Sequence, residues 1–326
     1  SRKMKAKHVI IYLLLVIVTS SCIRDEAPNA EADILSCRLP GITMTTSPII
    51  NNNSVTLFVT PGTNISALAP EFTLTSGATI TPASGTERNF NSPQEYQVTA
   101  ADGIWKKTYA ISVIDTELAT IYNFEDTISG KKYYIFVERE NDKVIMEWAS
   151  GNAGYAMTGV AKTADDYPTF QIANGKNGKC LSLVTRSTGF FGGLVGMPIA
   201  AGNLFIGSFD VNNAMSNPLQ ATKFGLPFRH VPTYLAGYYK YKAGDQFTEG
   251  GKPVEGKRDI CDIYAIMYET SVSVPTLDGT NAFTSPNLVS MARIKDAKET
   301  DEWTYFKLPF TTLPGKFIDK EKLTMG

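Results

Sequence analysis

Cys22 carries the most sharply defined chemistry in the chain. It follows Thr19, Ser20 and Ser21 at the end of an apolar run, where a thiol can be acylated and the peptide cut just before it. His230 is the one histidine beyond that segment, which removes a His-dependent triad or a multi-histidine metal site; between Arg229 and Val231-Pro232 it reads as structural. The Ser208 stretch Gly207 to Phe209 has no nucleophile elbow. Gly189-Phe190-Phe191-Gly192-Gly193 reads as a loop or bulge rather than a phosphate cradle, because no helix is expected after it. Acids are another matter, since a glycosidase needs only two carboxylates about 5 to 10 Å apart. Asp165, Asp166, Asp210, Asp262 and Glu269 could supply them, but no spacing singles out a pair. Asp126, Asn152, Asp165 and Asp166 could contribute to a structural calcium site, without the regular Asp spacing of a calcium loop; no other cofactor is expected.

Sugar binding asks for flat aromatic faces to meet the C–H side of a ring, with amides and carboxylates for its hydroxyls. Trp148, Asn152, Tyr155, Tyr239, Tyr241 and Asp262 are the candidates. Trp148 stands just ahead of Ser150 to Tyr155, a loop whose glycines let backbone approach a ligand, and Leu235 to Lys242 sets Tyr239 and Tyr241 on one face with Tyr238 on the other. Aromatics at strand spacing also build cores, and Trp148 and Trp303 can be read that way.

The elements that must hold these residues follow from composition and period. Arg2, Lys3, Lys5 and Lys7 precede the run Val9 to Val18, the layout of a signal peptide. Ten apolar residues reach about 15 Å as a helix, half of the roughly 30 Å of a bilayer core, so this is no stable span. Met4 is the natural start. Without residues 1–21, Lys+Arg falls from 31 to 27 against 32 acids, a net charge near −5 that gives nucleic acid no foothold. Residues 22–33 read as a lipidated flexible tether. Cys37, Cys180 and Cys261 allow one disulfide at most, with Cys180–Cys261 and three free thiols both open.

From 34 to 116, short strands are set off by Gly, Pro, Asn and Ser. Val55, Leu57 and Val59 alternate with polar residues, and Tyr96 to Ile114 folds back at Asp102-Gly103, a pair that tolerates the positive φ of a tight hairpin. An immunoglobulin-like β-sandwich fits. From 117 to 326 the strand candidates are 131–139, 143–148, 202–211, 235–242, 259–270 and 303–310. In the last, Phe306, Leu308 and Phe310 share a face opposite Trp303 and Tyr305. Long strands without alternating helices favour a β-jelly-roll, so the whole chain reads as all-β.

The same residues carry a family likeness. Gly77 to Gly85, leading into Tyr96 to Val113, resembles the immunoglobulin-like domain that opens many Bacteroidetes surface lipoproteins. Glu147 to Tyr155, Ala201 to Phe209, Phe224 to Asp245, Asp262 to Glu269 and Glu302 to Phe310 resemble the carbohydrate metabolism domain family called PCMD. The resemblance implies a galactose-binding-like jelly-roll, and Asp25 and Glu26 look like the signal that sends such lipoproteins to the outer face of the outer membrane. Family members usually run past Phe310 through further strands, so the end at Gly326 implies a shortened chain. The expected function is noncatalytic glycan binding or adhesion at the cell surface, anchored in the outer membrane by lipid. The alternatives are a protein-binding subunit of a surface assembly and a carboxylate-dependent glycan hydrolase.

Overall fold

The computed structural model describes residues 29–324, so the expected signal segment and Cys22 lie outside the described residues. Strands dominate throughout. In the first half, β1 (Ile34–Arg38) pairs antiparallel with β4 (Glu71–Leu74). A second sheet runs in the order β2 (Ile49–Ile50), β3 (Ser54–Phe58), β7 (Lys106–Ile114), β6 (Gln94–Thr99) and β5 (Thr79–Thr81). Among these pairs only β3 with β7 is parallel.

Alternation decides what this sheet buries. Val55, Leu57, Tyr96, Val98, Tyr109, Ile111 and Val113 all point into one core with Cys37 from β1, while the residues between them are half-buried or exposed. Burial raises the Cys37 thiol to about 12, so it stays protonated. The β6–β7 hairpin turns where expected: Gly103 has φ +71°, and Asp102 Oδ1 accepts from the backbone N–H of Ile104 at 2.8 Å and Trp105 at 3.1 Å. Near the start of β7, just past this turn, the Tyr109 hydroxyl accepts from Ile34 N–H at 3.3 Å and donates to Asp33 Oδ1 at 3.1 Å, which also takes Lys107 Nζ at 2.5 Å. A buried phenol is thereby satisfied.

In the second half every described pairing is antiparallel and most sheets are short. Strand Tyr234–Tyr241 pairs with Thr300–Pro309, enclosing the partners Tyr264–Tyr268 and Leu288–Arg293, which Thr311–Thr312 then joins. Such nested, non-sequential pairing is what a jelly-roll requires. Strands expected over 131–139 and 259–270 are found over Val137–Glu140 and Tyr264–Tyr268. Gly189–Leu194 is a short helix rather than a loop; a Cβ at Gly192 would stand 2.0 Å from Thr188 Oγ1, so only glycine closes that turn. Cys37, Cys180 and Cys261 are all free thiols, so the Cys180–Cys261 bridge is not made. No helix among the described residues is long and apolar enough to cross a membrane. An ion pair joins the two halves, with Lys143 Nζ 2.6 Å from Asp115, and beside the boundary His230 Nε2 lies within hydrogen-bond distance of Glu117, at 2.8 Å.

The Lys107 ammonium beside Asp33 holds its carboxyl below the ordinary 3.8. A depressed carboxylate adds stability that is present above its unfolded value and lost as pH falls through the folded one. Asp33→Asn should therefore cost up to about 1 kcal/mol at pH 7, a small figure because the pair is part-exposed. Urea melts at pH 7 and below pH 3 check this, and the gap between variant and parent should close in acid.

Candidate functional site

The long pair is the place where period-2 alternation leaves aromatics outside. Its register sets Tyr234 opposite Pro309, Ala236 opposite Lys307 and Tyr238 opposite Tyr305. Tyr234, Ala236, Tyr238 and Lys240 therefore share a face with Tyr305 and Lys307, and this face is the wet one: Tyr234 is 54%, Tyr238 48% and Tyr305 55% exposed. The opposite face carries Leu235, Tyr239 and Tyr241 with Phe306 and Leu308, all half-buried. Gly237 makes this packing possible, since a Cβ there would come within 3.0 Å of the Phe306 ring.

The wet face is a strip of rings and amines. Tyr238 and Tyr305 sit 5.2 Å apart with planes at 52°. Tyr234 lies four residues, about 13 Å, along the strand from Tyr238. The register then shifts between Tyr239↔Thr304 and Tyr241↔Thr300, so residues 301–303 bulge and Trp303 comes within 5.3 Å of Lys240 Nζ. Lys307 Nζ stands 4.1 Å from the Tyr234 ring centroid, and Lys176, from the turn before Cys180–Leu183, 4.4 Å from that of Tyr238. Flat apolar faces flanked by hydrogen-bond donors match the C–H faces and hydroxyls of a sugar chain.

Residues 123–325 match the family described as "Putative carbohydrate metabolism domain" (PCMD), and residues 34–113 match the one described as "SGBP, N-terminal". A crystal structure of a "putative glycoside hydrolase" from Bacteroides thetaiotaomicron is 85% identical, with a TM-score of 0.90 over 93% of this chain and 89% of that one. The chain belongs to the PCMD family. Another "putative glycoside hydrolase", from Bacteroides vulgatus, is 48% identical with a TM-score of 0.58 over 62% of this chain and 83% of that one. No curated protein matches significantly. With its SGBP-type N-terminal domain, this PCMD protein is a glycan-related surface protein.

The PCMD structure distributes the six candidate sugar contacts over separate places. Asn152 is fully buried in a short helix, Asn152–Ala156, where a loop was expected. Its Nδ2 donates to Thr169 O at 2.7 Å and its Oδ1 accepts from Thr169 N at 3.1 Å, so both ends are committed to the fold. Tyr155 is buried too, packed edge-on against Tyr167 and donating to Ser187 O at 2.8 Å. Tyr239 and Tyr241 lie on the inner face of the long pair; burial raises the Tyr241 hydroxyl to about 12, with Asp259 adding to it. Asp262 is clamped by Arg293 through contacts of 3.1 and 2.7 Å. Of the candidate calcium ligands, Asp166 Oδ2 accepts from the N–H groups of Lys162 and Thr163, and no group of three His, Cys, Asp or Glu side chains among the described residues could hold a metal.

Trp148 stands apart in a half-buried aromatic cluster, its ring 4.9 Å from Tyr122 and 5.5 Å from Phe124. Its Nε1–H donates to Glu138 Oε1 at 2.9 Å. Burial raises the Glu138 carboxyl above its ordinary range, and the nearby charge of Asp126 adds to this against the Trp148 bond. The sequence reading missed Tyr234, Tyr238 and Tyr305 as the exposed set. The signal was Lys307, which marks the wet side between Phe306 and Leu308 and assigns the faces of the paired strand through the register.

A raised carboxyl makes the folded state lose stability as pH climbs from the unfolded value through the folded one. Glu138→Gln keeps an acceptor for Trp148 and removes the charge. It should gain up to about 1 kcal/mol at pH 7, and the gain should vanish below about pH 4.5. Paired thermal melts at the two pH values check it.

Proposed function

We propose that this protein is a lipid-anchored surface protein that binds glycan without cleaving it, through the strip of Tyr234, Tyr238, Tyr305 and Trp303. The observation behind this reading is the exposure of three tyrosines on one paired strand face, Tyr238 against Tyr305 and Tyr234 further along the same strand. Exposed aromatics scattered singly are normal, whereas a contiguous row backed by donors has the chemistry of a ligand surface. Both family matches lie in the same field of biology. Cys22 supplies the anchor in this reading, with residues 22–33 as tether and the immunoglobulin-like half as spacer. In a glycan array followed by isothermal titration calorimetry, Tyr234→Ala, Tyr238→Ala and Tyr305→Ala should each weaken binding about tenfold, in line with roughly 1–1.5 kcal/mol per stacking ring. An unchanged affinity in all three would remove the strip from consideration. Labelled palmitate should enter the membrane fraction with the parent protein and not with Cys22→Ala.

One observation favours a second reading. Glu138, with its carboxyl raised by burial and pushed further by Asp126, is the kind of group that serves as a general acid beside a second carboxylate. The two Bacteroides proteins described as glycoside hydrolases point the same way. Release of reducing sugar by the parent and its loss in Glu138→Gln would establish hydrolysis; no release from any glycan bound by the strip would end that reading.

A further inference from the structure

Simple stacking on the strip leaves its three amines unexplained. Of the nineteen lysines among the described residues, Lys107, Lys143, Lys257 and Lys322 each end on a carboxylate. Among the described residues, Lys176, Lys240 and Lys307 make no such pair and instead each lie over a different ring of the strip. One cation stands at each of Tyr238, Trp303 and Tyr234. Asp301 and Glu302, exposed in the bulge, bound the strip at its Trp303 end. The chain as a whole carries a formal net charge of −1, so this concentration of unpaired positive charge is local.

An amine resting on an exposed aromatic face is held weakly and is easily exchanged for an ion pair. A neutral sugar that stacks on Tyr234 or Tyr238 displaces the amine from the ring and offers it only hydroxyls. A sugar with a ring carboxylate stacks on the same face and gives the displaced amine a counter-ion. On the assignment of the strip as the glycan site, we propose that its ligand is an acidic polysaccharide bearing one carboxylate per sugar, each read by one ring and one lysine.

The experiment measures binding of the intact protein to polygalacturonate and to alginate, each beside its carboxyl-reduced form, which keeps the polymer but not the charge. The acidic forms should bind at least tenfold tighter and lose that margin as salt is raised. The variant Lys176→Ala/Lys240→Ala/Lys307→Ala should bring the acidic forms down to the affinity of the reduced ones. The triple substitution of Tyr234, Tyr238 and Tyr305 by Ala should abolish binding of both. Circular dichroism of each variant checks folding; all six substituted side chains are solvent-exposed, so the fold should persist. Equal binding of acidic and reduced forms, or a margin that survives the lysine changes, overturns the acidic assignment and leaves the glycan site standing. Binding of dextran sulfate as tight as that of the polyuronates also overturns it, as charge without a carboxylate. Failure of the parent protein to bind any of these forms, or binding that survives the triple tyrosine change, removes the site itself.

Discussion

The pairing register of Tyr234–Tyr241 with Thr300–Pro309 is the constraint on which the candidate site depends. A strand shows alternate residues to opposite faces, so a slip of one residue would carry Tyr234, Tyr238 and Tyr305 inward and expose Leu235, Phe306 and Leu308. Apolar burial and close approach together hold the register. Phe306 lies across Gly237, where a Cβ would stand only 3.0 Å from its ring. The bulge at residues 301–303 then adds twist at one end and brings Trp303 to Lys240.

Elsewhere polar groups are spent on the fold. Asn152 trades both amide atoms with Thr169, Tyr155 reaches Ser187, and Tyr109 ties Asp33 to the start of β1. Each of these groups satisfies backbone or side-chain atoms that burial would otherwise leave without a partner, which is why they are poor candidates for ligand contacts. Trp148 is intermediate, since its ring belongs to an aromatic cluster while its N–H holds a carboxylate whose acidity burial weakens.

Much of the fold was legible because alternation is a direct consequence of strand geometry. Val55, Leu57, Tyr96, Val98, Tyr109 and Ile111 are inward as their period implies, and Asp102-Gly103 turns the hairpin. The all-β class and the family follow from the same residues. The site was less legible for a physical reason. Period 2 separates Tyr238 from Tyr239 and Tyr241 but does not say which face is wet, and that depends on a partner strand some sixty residues away. Glycine misled in two places: Ser150 to Tyr155 and Gly189 to Gly193 both close into short helices, because tertiary contacts of Asn152 and Thr188 outweigh the low helix propensity of Gly.

The amines over the rings bear on colloidal behaviour as well as recognition. A bare row of tyrosines on a two-stranded sheet is the kind of surface on which copies of a β-protein adhere face to face. Lys176, Lys240 and Lys307 place like charges where two such faces would meet, so self-association is opposed by repulsion and by the loss of hydration at each ammonium. A polyanion threaded along the strip would cancel that repulsion. Occupancy and clustering then become linked: a long acidic chain can gather several molecules along its length, each shielding the next, while the unoccupied protein keeps its neighbours at a distance.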